Sequence, residues 1–387
     1  MILVLNAGSS SLKLALYAGD GATPLATGLI ERIGADGFLR LRDGSGAPLP
    51  CPLTTTADVA SHGAALQTAL SALAGIAPGL HVTAVGHRVV HGGPNHSNPL
   101  RVDAATLAAL AALAPLAPLH QPHNLAGIRA ALAAFPSAPQ IACFDTAFHR
   151  DQPFVAQTYA LPRAYFDRGI RRYGFHGLSY HSIAGQLATL DPALALGRVI
   201  VAHLGNGASL CAMRAGRSVA TTMGFSPLDG LPMGTRVGQI DPGVLLYLLQ
   251  HDAMTPEALS DLLYRRSGLL GLSGLSNDMR CLEASEAPEA KQAIAYFVHR
   301  TRTEVAAMAA ALGGVDALVF CGGIGENSQR IRALVCEGLG WMGLTLDPTR
   351  NASGGPVISP DAAIVRVLVL PTNEESVIAF AARAALG

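Results

Sequence analysis

Ile2–Tyr17 reads ILVLNAGSSSLKLALY: an apolar strand, a polar turn of Asn, Ala, Gly and three serines, then a second strand. Val199–Met213 reads VIVAHLGNGASLCAM and repeats the plan, with Gly-Asn-Gly-Ala-Ser in the turn. Each places small residues and hydroxyls in a tight turn between two strands. A duplicated core with a cleft between its halves produces such an echo, and chance likeness of two hairpins is the bland alternative. A third run, Phe320–Ser328 (FCGGIGENS), follows an apolar strand at Ala317–Phe320 and precedes a helical stretch. Strand, glycine-rich turn and helix in that order present backbone N–H groups to phosphate. The chain has no GxxxxGK[ST], and Gly322-Gly323-Ile324-Gly325 does not match a dinucleotide fingerprint.

Around these runs, strands and helices alternate, which predicts an α/β protein. Gln140–Phe144 (QIACF) is a short apolar strand ending at Asp145, and Ile364–Leu370 is another. Alanine-rich stretches at 103–114 and 124–135 predict helices. A chain of 387 residues and 39.9 kDa exceeds one ordinary core, so two domains are expected. Half the residues are apolar and the mean hydropathy is +0.34. Yet the richest stretch, Leu107–Leu119, is broken by Pro115 and Pro118. No run reaches the ~18–20 apolar residues of a spanning helix.

Twenty-seven basic residues balance 27 acidic ones without blocks of like charge, so neither nucleic acid nor an anionic membrane has electrostatic support as a partner. The only lysines are Lys13 and Lys291, and Lys13 closes the first polar turn. Six cysteines (51, 143, 211, 281, 321 and 336) show no metal-ligand spacing, which fits buried thiols in a reducing compartment. The opening apolar run is too short for a signal-peptide core, so the cytoplasm is the expected location.

Asn6–Lys13 gathers an amide, three hydroxyls and an ammonium, the donors and compensating charge that a phosphate needs; a plain β-turn is the alternative. His87-Arg88-Val89-Val90-His91-Gly92-Gly93, Arg171-Arg172-Tyr173-Gly174-Phe175-His176-Gly177 and Met233-Gly234-Thr235-Arg236 each set a cation among glycines. Arginine clamps carboxylate or phosphate through two N–H groups, and glycine lets a ligand approach the backbone. Asp145, at a strand's carboxyl end, points to the usual ligand crevice of α/β proteins, or else caps the next helix. Glu374 and Glu375 follow a strand and offer hard oxygens to a divalent cation, or else favour a helix dipole. Phosphate loops, anion-binding cations and hard oxygen ligands, without acyl or hydride machinery, are what phosphoryl transfer asks for.

With these residues in place, the sequence resembles the acetokinase family along essentially its whole length. NAGSSSLK (6–13) and HLGNGAS (203–209) resemble the family's two signature segments. GHRVVHGG (86–93), FDTAFH (144–149), YGFHG (173–177), PLDGLPMGTR (227–236), GGIGENS (322–328) and PTNEE (371–375) follow in the family's order. The resemblance implies a duplicated actin-like ATPase (ribonuclease H-like) α/β fold with two domains around a central cleft, and a homodimer. Residues 1–147 plus 371–387 would form the domain with the first phosphate hairpin and the carboxylate site. Residues 148–370 would bind the nucleotide. The implied activity is a phosphotransferase with a carboxyl acceptor: reversible, magnesium-dependent transfer from ATP to acetate, giving acetyl phosphate and ADP, with manganese an alternative metal.

Residue by residue, the resemblance assigns Asp145, His176 and Arg236 to catalysis. It assigns Arg88, Val90, Leu119, Phe175 and Pro227 to the carboxylate substrate and the pocket for its methyl group. Ser9, Ser11, Lys13, His203, Leu204, Gly205, Asn206, Gly207, Asp278, Met279, Arg280, Gly323, Ile324, Gly325, Glu326 and Asn327 match nucleotide contacts, and Asn6 and Glu374 match the magnesium positions. Acetate is already ionised at neutral pH, so Asp145 is better read as an organiser of the metal or an arginine than as a general base. Gln121 stands where asparagine is commoner, Gly177-Leu178-Ser179-Tyr180 replaces a more polar Gly-Thr-Ser-His, and Met279 occupies an often aromatic position. Propionate kinase shares fold and motifs and is the near alternative. Butyrate kinase is disfavoured by Ala7 and the serines of the first loop. A non-catalytic nucleotide switch of the same fold would not need Arg88, His176 and Arg236 together.

Overall fold

The structure is a computed structural model that describes residues 1–8, 11–19, 21, 23–34, 37–49, 59–76, 81–118 and 120–386. The chain forms two compact units, Met1–Ala147 with Asn373–Gly387, and Phe148–Thr372.

The first unit is built on β1 (Ile2–Ala7), β2 (Ser11–Tyr17), β3 (Pro24–Glu31), β4 (Phe38–Asp43), β5 (Pro48–Leu49), β6 (Ala84–Val89), β7 (Leu100–Arg101) and β8 (Gln140–Phe144). Their order in the sheet is β5-β4-β3-β2-β1-β6-β8-β7. β1 and β2 pair antiparallel, as the first hairpin predicts, with Asn6 opposite Lys13. β6 and β8 then add in parallel beside β1. One sheet face carries Leu3, Leu5, Leu12, Leu14, Ile30, Leu41 and Val85, which pack with Leu66, Ala69 and Leu73 of the helix His62–Ile76. Val89, Ala142 and Phe144 bury Leu125 and Ile128 of the helix Gln121–Ala134.

The second unit holds β9 (Arg198–Leu204), β10 (Ala208–Arg214), β11 (Arg217–Thr221), β12 (Ala317–Cys321) and β13 (Arg366–Val369), in the order β11-β10-β9-β12-β13. β9–β10 is the antiparallel hairpin that the second echo predicts, and β12 adds in parallel to β9. Strand for strand this order repeats β3-β2-β1-β6-β8 of the first unit. Tyr180, Ile183 and Leu187 of the helix Gly177–Leu190 pack on Val199, Val201, Cys211 and Val319.

Three boundaries differ from the sequence reading. The stretch 103–114 is a helix only over Ala104–Ala111, capped by Asp103, before a single 3₁₀ turn with Pro115 in its first positions. The last strand is shorter, Arg366–Val369. Gly322–Asn327 is itself helical instead of a turn before a helix. Its first N–H, on Gly322, is met by the Glu326 carboxylate at 2.8 Å, which offsets part of the glycines' poor helix propensity. Among the described residues no helix is long and apolar enough to cross a membrane.

The helix Glu374–Ala384 lies on the opposite face of the first sheet, over β1 and β6. Gly86 permits this: a Cβ there would sit 2.5 Å from Ile378 Cγ2 and 3.2 Å from the Ile378 carbonyl oxygen. Gly86→Ala should therefore cost about 1–3 kcal/mol through overpacking. Combined with Ile378→Ala it should cost less than the sum of the two single changes, as read by urea denaturation.

Candidate functional site

In the first unit, four predicted residues meet at the carboxyl ends of adjacent parallel strands, where α/β sheets bind ligands. Arg88 lies near the end of β6, Asn6 near the end of β1, Asp145 just past β8, and Glu374 opens the C-terminal helix. Arg88 Nε donates to both Asp145 oxygens at 3.1 Å, and Nη2 donates to Oδ2 at 2.6 Å. Nη1 donates to Asn6 Oδ1 at 3.3 Å, and Nε is 3.7 Å from Glu374 Oε2. Asp145 is buried and its own N–H donates to the Val89 carbonyl at 3.1 Å, which fixes it beside β6. Burial opposes the charge on Arg88, but Asp145 and then Glu374 outweigh it and push its ionisation above the usual guanidinium range. Arg88 is a permanent cation.

The chain after β6 is tied down by two buried amides. Asn124 Oδ1 accepts from the Val90 N–H at 2.9 Å while its Nδ2 donates to the Ala7 carbonyl at 2.7 Å. Gln121 Oε1 accepts from the His91 N–H, and its Nε2 donates to the His91 and Leu110 carbonyls. The glutamine at 121 is thus fully satisfied, and its extra methylene spans from the Gln121–Ala134 helix to residue 91. Val90 is buried one residue beyond the strand. Lys13 is exposed on β2 and lines, with Arg40, Arg42 and Glu375, a cavity of about 380 Å³. Ser11 begins β2, and His62 Nε2 donates to the Gly8 carbonyl at 2.7 Å, bracing the first loop. Ser9 and Leu119 lie outside the described residues.

The second unit collects His176, Arg236 and the β9–β10 turn. A Cβ on Gly207 would stand 3.2 Å from His176 Nε2 and 3.6 Å from Arg236 Nη2, so both side chains close on one stretch of bare backbone. His176 precedes the helix Gly177–Leu190 with φ +58°, in the left-handed region. Its neighbours hold it there. His149 Nε2 donates to the Phe175 carbonyl at 2.9 Å, and the Tyr173 N–H donates to the Gly224 carbonyl at 3.0 Å. Burial brings His149 down to about 4 against the Phe175 hydrogen bond, so it is neutral and accepts from Ser218 Oγ at Nδ1, 2.8 Å away. Arg236 Nη1 donates to the Pro227 carbonyl at 3.0 Å. Its loop passes close to the β9–β10 turn at Gly234, where a Cβ would meet the exposed Asn206 side chain and lie 3.3 Å from the Asn277 carbonyl oxygen. Phe175 is buried, and so is Pro227.

The remaining residues that the sequence matched to nucleotide contacts divide by orientation. Gly205 sits against the helix start, its Cβ position 3.6 Å from the Gly323 nitrogen, so two backbone segments adjoin there. Asn206 and Asn327 are exposed, and Ile324 is half-buried in the short helix. Glu326 turns its carboxylate inward to the N–H groups of Gly322 and Thr372. Asp278 caps the helix Met279–Ala284 and pairs with Arg280 at 2.6 Å, an arginine that is 87% exposed. Met279 is buried, so it presents backbone, not a side chain, to any ligand outside. Of the other cations singled out in sequence, Arg172 pairs with Asp229 at 2.9 Å and Arg171 lies over Phe166 and Tyr173. Sequence reasoning gave Asn124, Ser209 and Thr372 no role, although Ser209 and Thr372 lie in the segments HLGNGAS and PTNEE.

Residues 1–380 match the model of the acetokinase family. An acetate kinase of Methylocella silvestris is 52% identical over 387 residues, covering 98% of this chain and 96% of that protein. The crystal structure of Porphyromonas gingivalis acetate kinase superposes with a TM-score of 0.89 at 37% identity, covering 100% of this chain and 99% of that one. A propionate kinase from Francisella tularensis superposes with a TM-score of 0.92 at 36% identity, covering 99% of each chain.

The Arg88–Asp145 pair yields a stability prediction. Asp145→Ala leaves a largely buried guanidinium with Glu374 and the weaker influence of Glu375 as counter-charge, and should cost about 2–3 kcal/mol, less than a fully buried pair would. Adding Arg88→Met removes the stranded charge and should recover part of that loss. Urea denaturation of both variants checks this; an unaltered midpoint for Asp145→Ala would show that the pair carries no charge balance.

Proposed function

The chain belongs to the acetokinase family, and from that premise we propose that it moves a phosphoryl group reversibly from ATP to acetate, giving acetyl phosphate and ADP. The observation that carries the reading is the approach of His176 Nε2 and Arg236 Nη2 to the same bare backbone at Gly207. A transferring phosphoryl group spreads negative charge over three equatorial oxygens, and two donors beside a glycine answer that need. The acceptor arrives as a carboxylate and needs no base. Arg88 then holds the carboxylate, and Asp145, both of whose oxygens accept from Arg88, holds Arg88. Transfer is direct and in line.

We assign the carboxylate site to residues 1–147 with the C-terminal helix, and the nucleotide to residues 148–370 through His203–Gly207, Asp278–Arg280 and Gly323–Asn327. Ser9, Ser11 and Lys13 complete the phosphate contacts. Asn6 and Glu374 bring an amide oxygen and a carboxylate to the same guanidinium, a hard-oxygen donor set that fits magnesium. Magnesium keeps several waters and binds through one or two carboxylates plus substrate phosphates, so no protein cage is required. When bound it neutralises phosphate charge. The free cysteines 143, 211, 281, 321 and 336 support a cytoplasmic location.

A homodimer is part of the same reading. The helix Pro242–Gln250 (PGVLLYLLQ) buries none of its residues, and Leu246 and Tyr247 are more than half exposed. An apolar helix left open to water suits a second copy of the chain. Sedimentation velocity should show a dimer that Leu246→Arg weakens.

Propionate is the second acceptor to weigh, and Val90 separates the two. Its branched Cβ is stiff, and the Asn124 hydrogen bond fixes its backbone beside Arg88. One methylene in an apolar pocket is worth about 1–3 kcal/mol, so propionate should be a poor substrate, not an inert one. A hydroxamate assay should give kcat/KM for acetate above that for propionate, and Val90→Ala should raise the propionate ratio. A wild type that prefers propionate, or a ratio unchanged by Val90→Ala, would defeat the assignment.

A further inference from the structure

Tyr180 lies one turn into the helix Gly177–Leu190, is fully buried, and has no place in the roles given above. Among the described residues its hydroxyl has one hydrogen-bond partner, Ser209 Oγ, at 2.5 Å. Ser209 Oγ in turn lies 2.8 Å from His176 Nδ1. Hydrogen counting settles the direction of this chain. A phenol has one O–H, and leaving it without an acceptor inside the protein costs a full desolvation penalty. Tyr180 therefore donates to Ser209. The one hydrogen of Ser209 then goes to its other partner, so His176 Nδ1 accepts. A neutral imidazole that accepts at Nδ1 carries its proton on Nε2, the nitrogen that faces Gly207.

We propose that Tyr180 is a positioning residue which, through Ser209, fixes His176 in the tautomer whose Nε2–H faces the transferring group. This rests on the reading of His176 as a donor to that group. Burial pushes Tyr180 ionisation far above the usual phenol value, so its proton is present wherever the protein works.

A second relay runs beside the first. Thr372 Oγ1 donates to Ser179 Oγ at 2.8 Å, and Ser179 Oγ lies 2.9 Å from His203 Nδ1. Ser179 Oγ also lies 3.8 Å from Cys321 Sγ, so its hydrogen has two acceptors within reach, His203 Nδ1 and the thiol. The two imidazoles stack with centroids 4.2 Å apart, a spacing that suits two neutral rings and disfavours two cations. Adjacent residues of one helix thus serve the two rings, Ser179 directly at His203 and Tyr180 through Ser209 at His176. This also gives a reason for tyrosine at 180: its hydroxyl reaches Ser209 from the buried face of the helix.

The test reads the tautomer and the turnover separately. In the wild type labelled with ¹⁵N-histidine, the ring signals lost in His176→Ala identify His176, and they should show a protonated Nε2 and a bare Nδ1. Tyr180→Phe keeps the packed ring and removes only the hydroxyl. It should bring Nδ1–H character into those signals and lower kcat about threefold to tenfold, with KM for both substrates changed less than twofold. Should that variant not fold, Ser209→Ala removes the same donor and should have the same two effects. A wild-type His176 protonated on Nδ1, or a Tyr180→Phe enzyme with unaltered ring signals and kcat, would overturn the proposal. Full turnover in His176→Ala would instead remove the reading of His176 as donor, while the ring signals of the wild type still decide the tautomer.

Discussion

A guanidinium set at the end of a buried strand must have negative charge within reach, and Arg88 has it in Asp145 at 2.6 Å and Glu374 at 3.7 Å. Much of the first unit serves that requirement. Asp145 arrives from β8, Glu374 from the C-terminal helix and Asn6 from β1, segments far apart in the chain. Parallel pairing of β1, β6 and β8 brings their carboxyl ends side by side. Gly86 lets the helix Glu374–Ala384 lie close enough on the sheet for its first turn to present a carboxylate. A longer residue at 86 would disturb the charge balance as well as the packing.

The second unit solves a different problem with neutral groups. Its sheet repeats the strand order of the first, yet its key side chains are held by hydroxyls and carbonyls. His149 reaches the Phe175 carbonyl, Ser209 meets His176, and Ser179 meets His203. Under the proposed transfer, neutral supports suit this place, because a carboxylate beside His176 would repel the phosphoryl group. One topology therefore carries an arginine held by carboxylates in one copy and, in the other, a histidine and an arginine held by hydroxyls and carbonyls.

The two hairpins and the strand before Asp145 were legible because short apolar runs bounded by glycine and polar turns have few other readings. The sheet orders were not, since β1 pairs with β6 some eighty residues later and no local pattern records it. The glycine run at 322–327 reads as a turn by composition. It is helical because Glu326 meets the Gly322 N–H from within the same segment, a side-chain orientation that composition does not encode. The cations and carboxylates of the candidate site were visible as residue types in glycine-rich surroundings. Asn124 and Ser209 were not, since their value lies in what they reach across the fold. Gln121 and Tyr180 stood out as departures from family wording, and each acquires a partner only in three dimensions.

His176 shows why such partners are needed. A left-handed backbone costs an L-residue about 1–2 kcal/mol, and glycine would adopt φ +58° without that cost. Glycine, however, would bring no imidazole to Gly207. The side chain and the backbone angle are both required at one position, so the conformation has to be imposed from outside. The His149 bond to the Phe175 carbonyl does this on one side. Gly174 makes that bond possible, because a Cβ there would lie 2.6 Å from the His149 ring. On the other side Ser209 grips the ring itself. The Tyr-Gly-Phe-His-Gly segment is thus one device: glycines supply the room, a buried neutral histidine supplies the restraint, and the strained residue between them carries its imidazole to Gly207.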